Sequence, residues 1–128
     1  MLALATAAIF AFLAALHFYW AAVGVGSGNG ANSAAIPEIN GVPAFKPSRT
    51  ATAAVGLVLL FTAAIVLLEV QILIAGAAAV LIMRAIGDFR LVGFFKRHRD
   101  SRFARLDTLL YSPLCLALGL ALAMQAAA

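Results

Sequence analysis

Two opposite charges stand four residues apart inside an apolar run, Met83-Arg84-Ala85-Ile86-Gly87-Asp88-Phe89-Arg90. On a helix this spacing puts Arg84 and Asp88 on one face, where they can pair. An unpaired charge at mid-depth in a bilayer costs at least ~2.5–3.5 kcal/mol on insertion scales, so a partner is expected. Arg90 falls on another side and is expected to snorkel towards the interface. His17, Asp107 and Tyr111 are further polar groups in apolar sequence, and Asp107, Tyr111 and Cys115 recur at helical spacing. His17, Arg84, Asp88, Arg90, Asp107 and Tyr111 thus form a candidate polar cluster. An arginine there would hold an anionic or carbonyl head group, and a histidine or aspartate would move a proton. The plainer readings are a structural Arg84–Asp88 pair and a hydrogen-bonded packing histidine.

The elements that must carry these residues are membrane helices. The chain has 128 residues, 65% of them hydrophobic and 11% charged, whereas a soluble domain is nearer half apolar and a quarter charged. A mean hydropathy of +1.06 calls for lipid. About 20 apolar residues cross a bilayer core. The expected fold is all-α, a single polytopic domain with four transmembrane helices at about 2–25, 50–68, 72–94 and 107–125. The stretch from Thr50 to Met83 would reach about 51 Å as one helix, too long for a core of about 30 Å. It is expected to turn at Glu69 and Gln71, its only strongly polar residues. Asp107 is placed to cap the last span. Pro113, inside that span, removes a backbone bond and should kink the first turns. The first span lacks the cationic start of a signal peptide and is too long for one, so it is expected to be retained. Gly24 to Arg49, rich in Gly, Asn, Ser and Pro, reads as a surface loop. Ala3, Ala7, Ala11 and Ala15, and later Ala117 and Ala121, form small-residue stripes that suit close helix packing or an oligomer.

Seven of the nine Lys and Arg residues fall between Arg84 and Arg105. Lys46 and Arg49, the other two, are offset by Glu38 and Glu69. Every cation outside the spans lies in the loops 26–49 and 95–106, so the positive-inside rule makes both loops cytoplasmic and both termini external. Lys96, Arg97, Arg99, Arg102 and Arg105 are expected to touch anionic lipid head groups. The sequence pI of about 10 is explained by charges flanking spans, so nucleic acid is not an expected partner. The single cysteine, Cys115, excludes an internal disulfide and reads as a structural thiol. There is no metal-ligand spacing, phosphate loop, nucleophile–base pair or cofactor motif, and no cofactor is expected.

Several of these residues form a set: His17-Phe18-Tyr19-Trp20-Ala21, the run from Arg84 to Arg90, Gly93-Phe94-Phe95-Lys96-Arg97, Phe103 to Thr108, and Tyr111-Ser112-Pro113-Leu114-Cys115. Together they resemble a family of small bacterial four-span membrane proteins, the domain of unknown function numbered 3995. The resemblance covers nearly the whole chain and implies a multi-pass protein of the bacterial cytoplasmic (inner) membrane. It implies no activity.

Three function classes fit. The leading one is a non-enzymatic accessory, scaffolding or oligomeric membrane component, alone or in a larger membrane complex. The second is a small membrane enzyme or binder of a lipid- or quinone-like amphiphile, using Arg84, Asp88 and His17. The third is ion or proton translocation by a homo-oligomer.

Overall fold

The computed structural model describes residues 1–24 and 34–128. Residues 25–33, the Gly- and Asn-rich part of the stretch read as a surface loop, lie outside the described residues.

Helix α1, Leu2–Val23, is apolar apart from Thr6, His17 and its closing aromatic group. Thr6 turns its hydroxyl back to the Leu2 and Ala3 carbonyls at 3.0 and 3.1 Å, so its polarity is met within the helix. Helix α2, Arg49–Leu67, starts at Ser48, whose hydroxyl accepts the Ala51 N–H at 3.0 Å. Its Thr52 and Thr62 hydroxyls donate to the carbonyls of Ser48 and Val58, both at 2.8 Å. The chain turns at Leu68–Val70, where Glu69 takes φ 56, the place its polarity marks in the sequence. Helix α3 is Gln71–Ile86. Helix α4, Arg102–Ala127, starts at Ser101, which accepts the Ala104 N–H.

Three helices (α1, α2 and α4) are long and apolar enough to cross a membrane, while α3 has 16 residues. The span expected at 72–94 is therefore shorter at its far end, because Gly87 (φ 95) stops it. The last helix starts at Arg102, not at Asp107, so Asp107 lies within it and Ser101 is the cap. Pro113 cannot return an N–H to the preceding turn. The irregularity it brings is a π-helical turn at Asp107–Tyr111, where the Ser112 N–H reaches the Asp107 carbonyl. In the loop before α2, Glu38–Ile39 (β1) pairs antiparallel with Val42–Pro43 (β2). Asn40 and Gly41 link them, with φ 54 and 80, the left-handed pair that a tight hairpin demands.

The helices pack as two antiparallel pairs, α1 on α2 and α3 on α4, with lighter contact between the pairs. Each pair closes on a glycine. A Cβ on Gly56 would lie 2.8 Å from the Phe18 ring, and one on Gly119 would lie 2.8 Å from Ile82 Cγ1 and 3.3 Å from the Ala78 carbonyl. The core between the pairs is built on Phe10, Val66, Ile74 and Leu122, all fully buried. On α1 the buried face is Thr6, Ala7, Phe10 and Ala14. Ala11 and Ala15 of the expected stripe are exposed, because a strict i, i+4 row rotates away by about 40° per step. On α4, likewise, Ala117 is exposed and the close contact belongs to Gly119.

The outer faces are apolar too. Phe12, Leu57, Phe61, Val80 and Leu109 are all exposed, as expected of helices whose surroundings are lipid. Gln125 Nε2 donates to Thr6 Oγ1 at 3.0 Å, so the two chain ends meet at one end of the bundle. The cations gather at the other, around Gly24, Arg49 and the segment between α3 and α4.

Candidate functional site

Residues 87–101 form a hooked connection. Gly87 ends α3 with φ 95, and Gly93 follows with φ 89. The two cross so closely that a Cβ on Gly87 would meet the Val92 carbonyl oxygen at 1.9 Å, and one on Gly93 would meet the Gly87 Cα at 2.4 Å. Only glycine fits either position. The Phe94 N–H then returns to the Ala85 carbonyl at 2.8 Å, and His98 N–H to the Arg90 carbonyl at 2.9 Å.

This hook separates the pair that the sequence suggested. Asp88 lies in the exposed hook, where its Oδ1 accepts the N–H groups of Arg90, Leu91 and Val92 at 2.9, 2.8 and 3.2 Å. Its slight burial raises the pKa, but these backbone donors, Leu91 first, prevail and hold the carboxyl below the usual aspartate value. Arg90 is exposed beside it. The partner of Arg84 is Asp107: Nη2 to Oδ1 is 2.8 Å.

Asp107 is the centre of the site. Its side chain is fully buried, and its Oδ2 accepts the Gly93 N–H at 2.7 Å and lies 3.2 Å from Lys96 Nζ. Lys96, expected at the head groups, is instead fully buried and also donates to the Gly93 carbonyl at 3.0 Å and to the Thr108 hydroxyl. The reason is the hook, which folds Lys96 back onto α4. One carboxylate therefore faces two cations, leaving the cluster with one positive charge in excess. Arg84 spends only one end on Asp107; its Nη1 is buried with no hydrogen-bond partner.

Arg84 also borders a cavity of about 360 Å³ lined by residues of all four helices. Its walls are mostly apolar, from Phe10 and Leu13 on α1 to Leu114 and Leu118 on α4. Its polar groups collect at the end nearer the hook: His17, Trp20, Arg84, Tyr111 and Cys115. His17 Nδ1 lies 2.7 Å from the Leu13 carbonyl, and its ring meets Trp20 edge-on. The Tyr111 hydroxyl donates to the Ala34 carbonyl at 2.8 Å, tying α4 to the start of the loop before α2. A second cavity of about 210 Å³ shares His17, Trp20, Ala35 and Val55 and opens towards Phe45, Pro47 and Thr52.

Of the residues singled out in the sequence, Arg84 and Asp107 are in contact, and Arg84, His17 and Tyr111 line one cavity. Asp88 and Arg90 stand apart. Arg97, Arg99, Arg102 and Arg105 are exposed at the same end of the bundle, with Arg99 donating to the Phe94 carbonyl at 2.6 Å. Sequence reasoning missed buried Lys96 and the cavity role of Trp20 and Cys115. A lysine between Phe94-Phe95 and Arg97 gives no local sign of which way it turns.

A family model described as protein of unknown function (DUF3995) matches residues 10–122. The chain belongs to this family. No curated protein and no solved structure is significantly similar to it. The part of the chain that DUF3995 covers includes the whole hook, the Arg84–Asp107–Lys96 cluster and every residue of the larger cavity. Among the described residues there is no group of His, Cys, Asp and Glu able to hold a metal ion.

Proposed function

We propose that this DUF3995 protein is a four-span protein of the bacterial cytoplasmic membrane that binds a single-chain amphiphile between its helix pairs. The observation that carries this reading is the apolar cavity of about 360 Å³ whose polar groups sit at one end. Ligand sites are typically concave, mostly apolar, and ~300–1,000 Å³ in volume, with a few polar groups that fix orientation. The lining runs from Trp20 to Phe10 on α1, which is about 15 Å along the helix axis. That shape suits an extended chain, not a flat ring system or a two-chain lipid.

The geometry favours binding over a purely scaffolding role, because a scaffold has no use for a half-buried cation at the edge of an apolar chamber. It also offers little to ion translocation through Asp88, which is exposed in the hook and already occupied by backbone donors. Nothing in the cavity pairs a nucleophile with a base, so binding or carriage is the reading, not catalysis. The exposed arginines of the hook and of the start of α4 are assigned to anionic head groups on the cytoplasmic face.

Trp20 is the chain's only tryptophan and lines the cavity, so it reports occupancy directly. Purified protein in a non-ionic detergent should show saturable quenching of Trp20 fluorescence by chain-brominated dodecanoate or dodecanol. Leu59→Phe, which fills the chamber, should leave only the linear quenching that free detergent-partitioned probe produces. Linear quenching in both proteins, with either probe, would overturn the binding reading.

A further inference from the structure

We infer that the ligand's head group is neutral and hydroxyl-bearing, held between His17 Nε2 and Trp20 Nε1 where the two cavities adjoin. This deepens the reading of the larger chamber as an amphiphile site and rests on it.

The two rings sit within one turn of α1. At i and i+3 they share a side of the helix, with centroids 5.2 Å apart. Both border the chamber of about 360 Å³ and the second cavity of about 210 Å³. His17 Nδ1 lies 2.7 Å from the Leu13 carbonyl. A carbonyl oxygen only accepts, so Nδ1 carries the proton, and in the neutral ring Nε2 is left as an acceptor. The indole Nε1 is a donor only. Neither nitrogen has a hydrogen-bond partner among the described residues. Both side chains are half-buried, yet neither nitrogen is among the unpaired polar atoms sealed from solvent. They are therefore reachable, which separates them from Arg84 Nη1. One hydroxyl satisfies the pair, donating to His17 and accepting from Trp20.

Charge selects against the alternatives. The residues around the second cavity are all uncharged. Arg84 is the one charged residue in the chamber wall; its Nη2 is bound to Asp107 and its Nη1 is sealed off. A carboxylate or phosphate would lose hydration here without gaining a counter-charge, and an ammonium would find no carboxylate in either wall. Thr52 extends the neutral lining of the second cavity. Its hydroxyl donates to the Ser48 carbonyl at 2.8 Å, so its oxygen is left to accept. At roughly 30 Å³ per small group the second cavity admits about seven, enough for more than one hydroxyl. A monoacylglycerol has the matching form, a slender acyl chain for the chamber and a neutral diol beyond it.

Displacement of chain-brominated dodecanol from Trp20 tests this. Unlabelled dodecanol, its methyl ether, dodecanoate, dodecylammonium and monodecanoylglycerol are compared as competitors on wild type, His17→Phe and His17→Gln. Dodecanol should compete at about three- to tenfold lower concentration than the ether, the effect of one neutral hydrogen bond. It should outdo both charged competitors, and monodecanoylglycerol should do at least as well. His17→Phe should erase the gap between dodecanol and its ether while both still bind; His17→Gln, which keeps an acceptor, should restore part of it. An ether as effective as the alcohol on wild type, a charged competitor stronger than dodecanol, a monoacylglycerol weaker than dodecanol, or an unchanged gap in His17→Phe would each overturn the assignment while the chamber reading stands. Absence of saturable quenching by brominated dodecanol and brominated dodecanoate alike in wild type would instead remove the chamber reading.

Discussion

Asp107 carries more of this molecule than any other single residue. Its two oxygens hold Arg84 of α3, Lys96 of the hook and the backbone N–H of Gly93, so one carboxylate joins three stretches of chain. Removing it leaves buried Lys96 and half-buried Arg84 without their shared counter-charge. Asp107→Asn should therefore destabilise the protein by about 3–5 kcal/mol, the cost of breaking a buried pair from one side. Arg84→Gln should cost distinctly less, because Lys96 still balances Asp107 one to one. A double-mutant cycle read by thermal unfolding in detergent should give clear coupling, above about 1 kcal/mol, between Arg84 and Asp107. The same cycle on Arg84 and Asp88 should give coupling near zero. Coupling at Asp88 as strong as at Asp107 would mean that the intrahelical pair forms after all. Arg84 was legible in the sequence as a charge in need of a partner, because its surroundings are apolar on both sides. Which aspartate it takes was not, since Asp88 at i+4 is the obvious choice on any continuous helix.

At the scale of the element, that outcome turns on two glycines. Gly87 and Gly93 stop α3 at Ile86, eight residues before the end at 94 that hydropathy alone suggests, and cross backbone to backbone. A hydropathy pattern reports what lipid will accept, and Ile86 to Phe95 contains enough apolar residues to pass as helix. It is silent on φ. Gly93→Ala should open the hook, since its Cβ would meet the Gly87 Cα and the Ile86 carbonyl at 2.4 Å in a backbone conformation that costs an alanine ~1–2 kcal/mol on its own. The expected results are a fall in melting temperature and increased reactivity of Lys96 towards an amine reagent, as its pocket is lost. Unaltered Lys96 protection would show that the close crossing is not what buries it. Other elements were easier to read. The turn at Glu69 follows from length, because one helix cannot use 34 apolar residues in a thin core. The π-helical turn before Pro113 was visible only as an expected disturbance, as a missing N–H says that a helix must adjust without saying how.

For the molecule as a whole, the two helix pairs put all nine Lys and Arg residues at one end and both termini at the other. For the four-span protein proposed above, the positive-inside rule predicts a cytoplasmic hook end. With Cys115→Ser as background, Asp100→Cys in the hook should react with a membrane-impermeant maleimide in inverted bacterial vesicles and not in intact cells. Glu69→Cys, at the α2–α3 turn, should do the reverse. Labelling of both from the same side would mean that α3, at 16 residues, does not cross.

Composition and hydropathy by themselves determined the helical class, the helices apolar enough to cross a membrane and the polar end, because they depend on residue counts over a window of about 20. The motif residues from His17 to Cys115 carried the family resemblance, which the match over residues 10–122 bears out. What only the tertiary structure decided is where each charge goes. Lys96 and Arg97 are neighbours in sequence, yet one is buried against Asp107 and the other exposed. That difference arises from a backbone crossing between Gly87 and Gly93 and a contact 14 residues along the chain. The cavity is tertiary in the same sense: its walls come from four helices, and no local pattern records the gap left where two tightly closed pairs meet lightly.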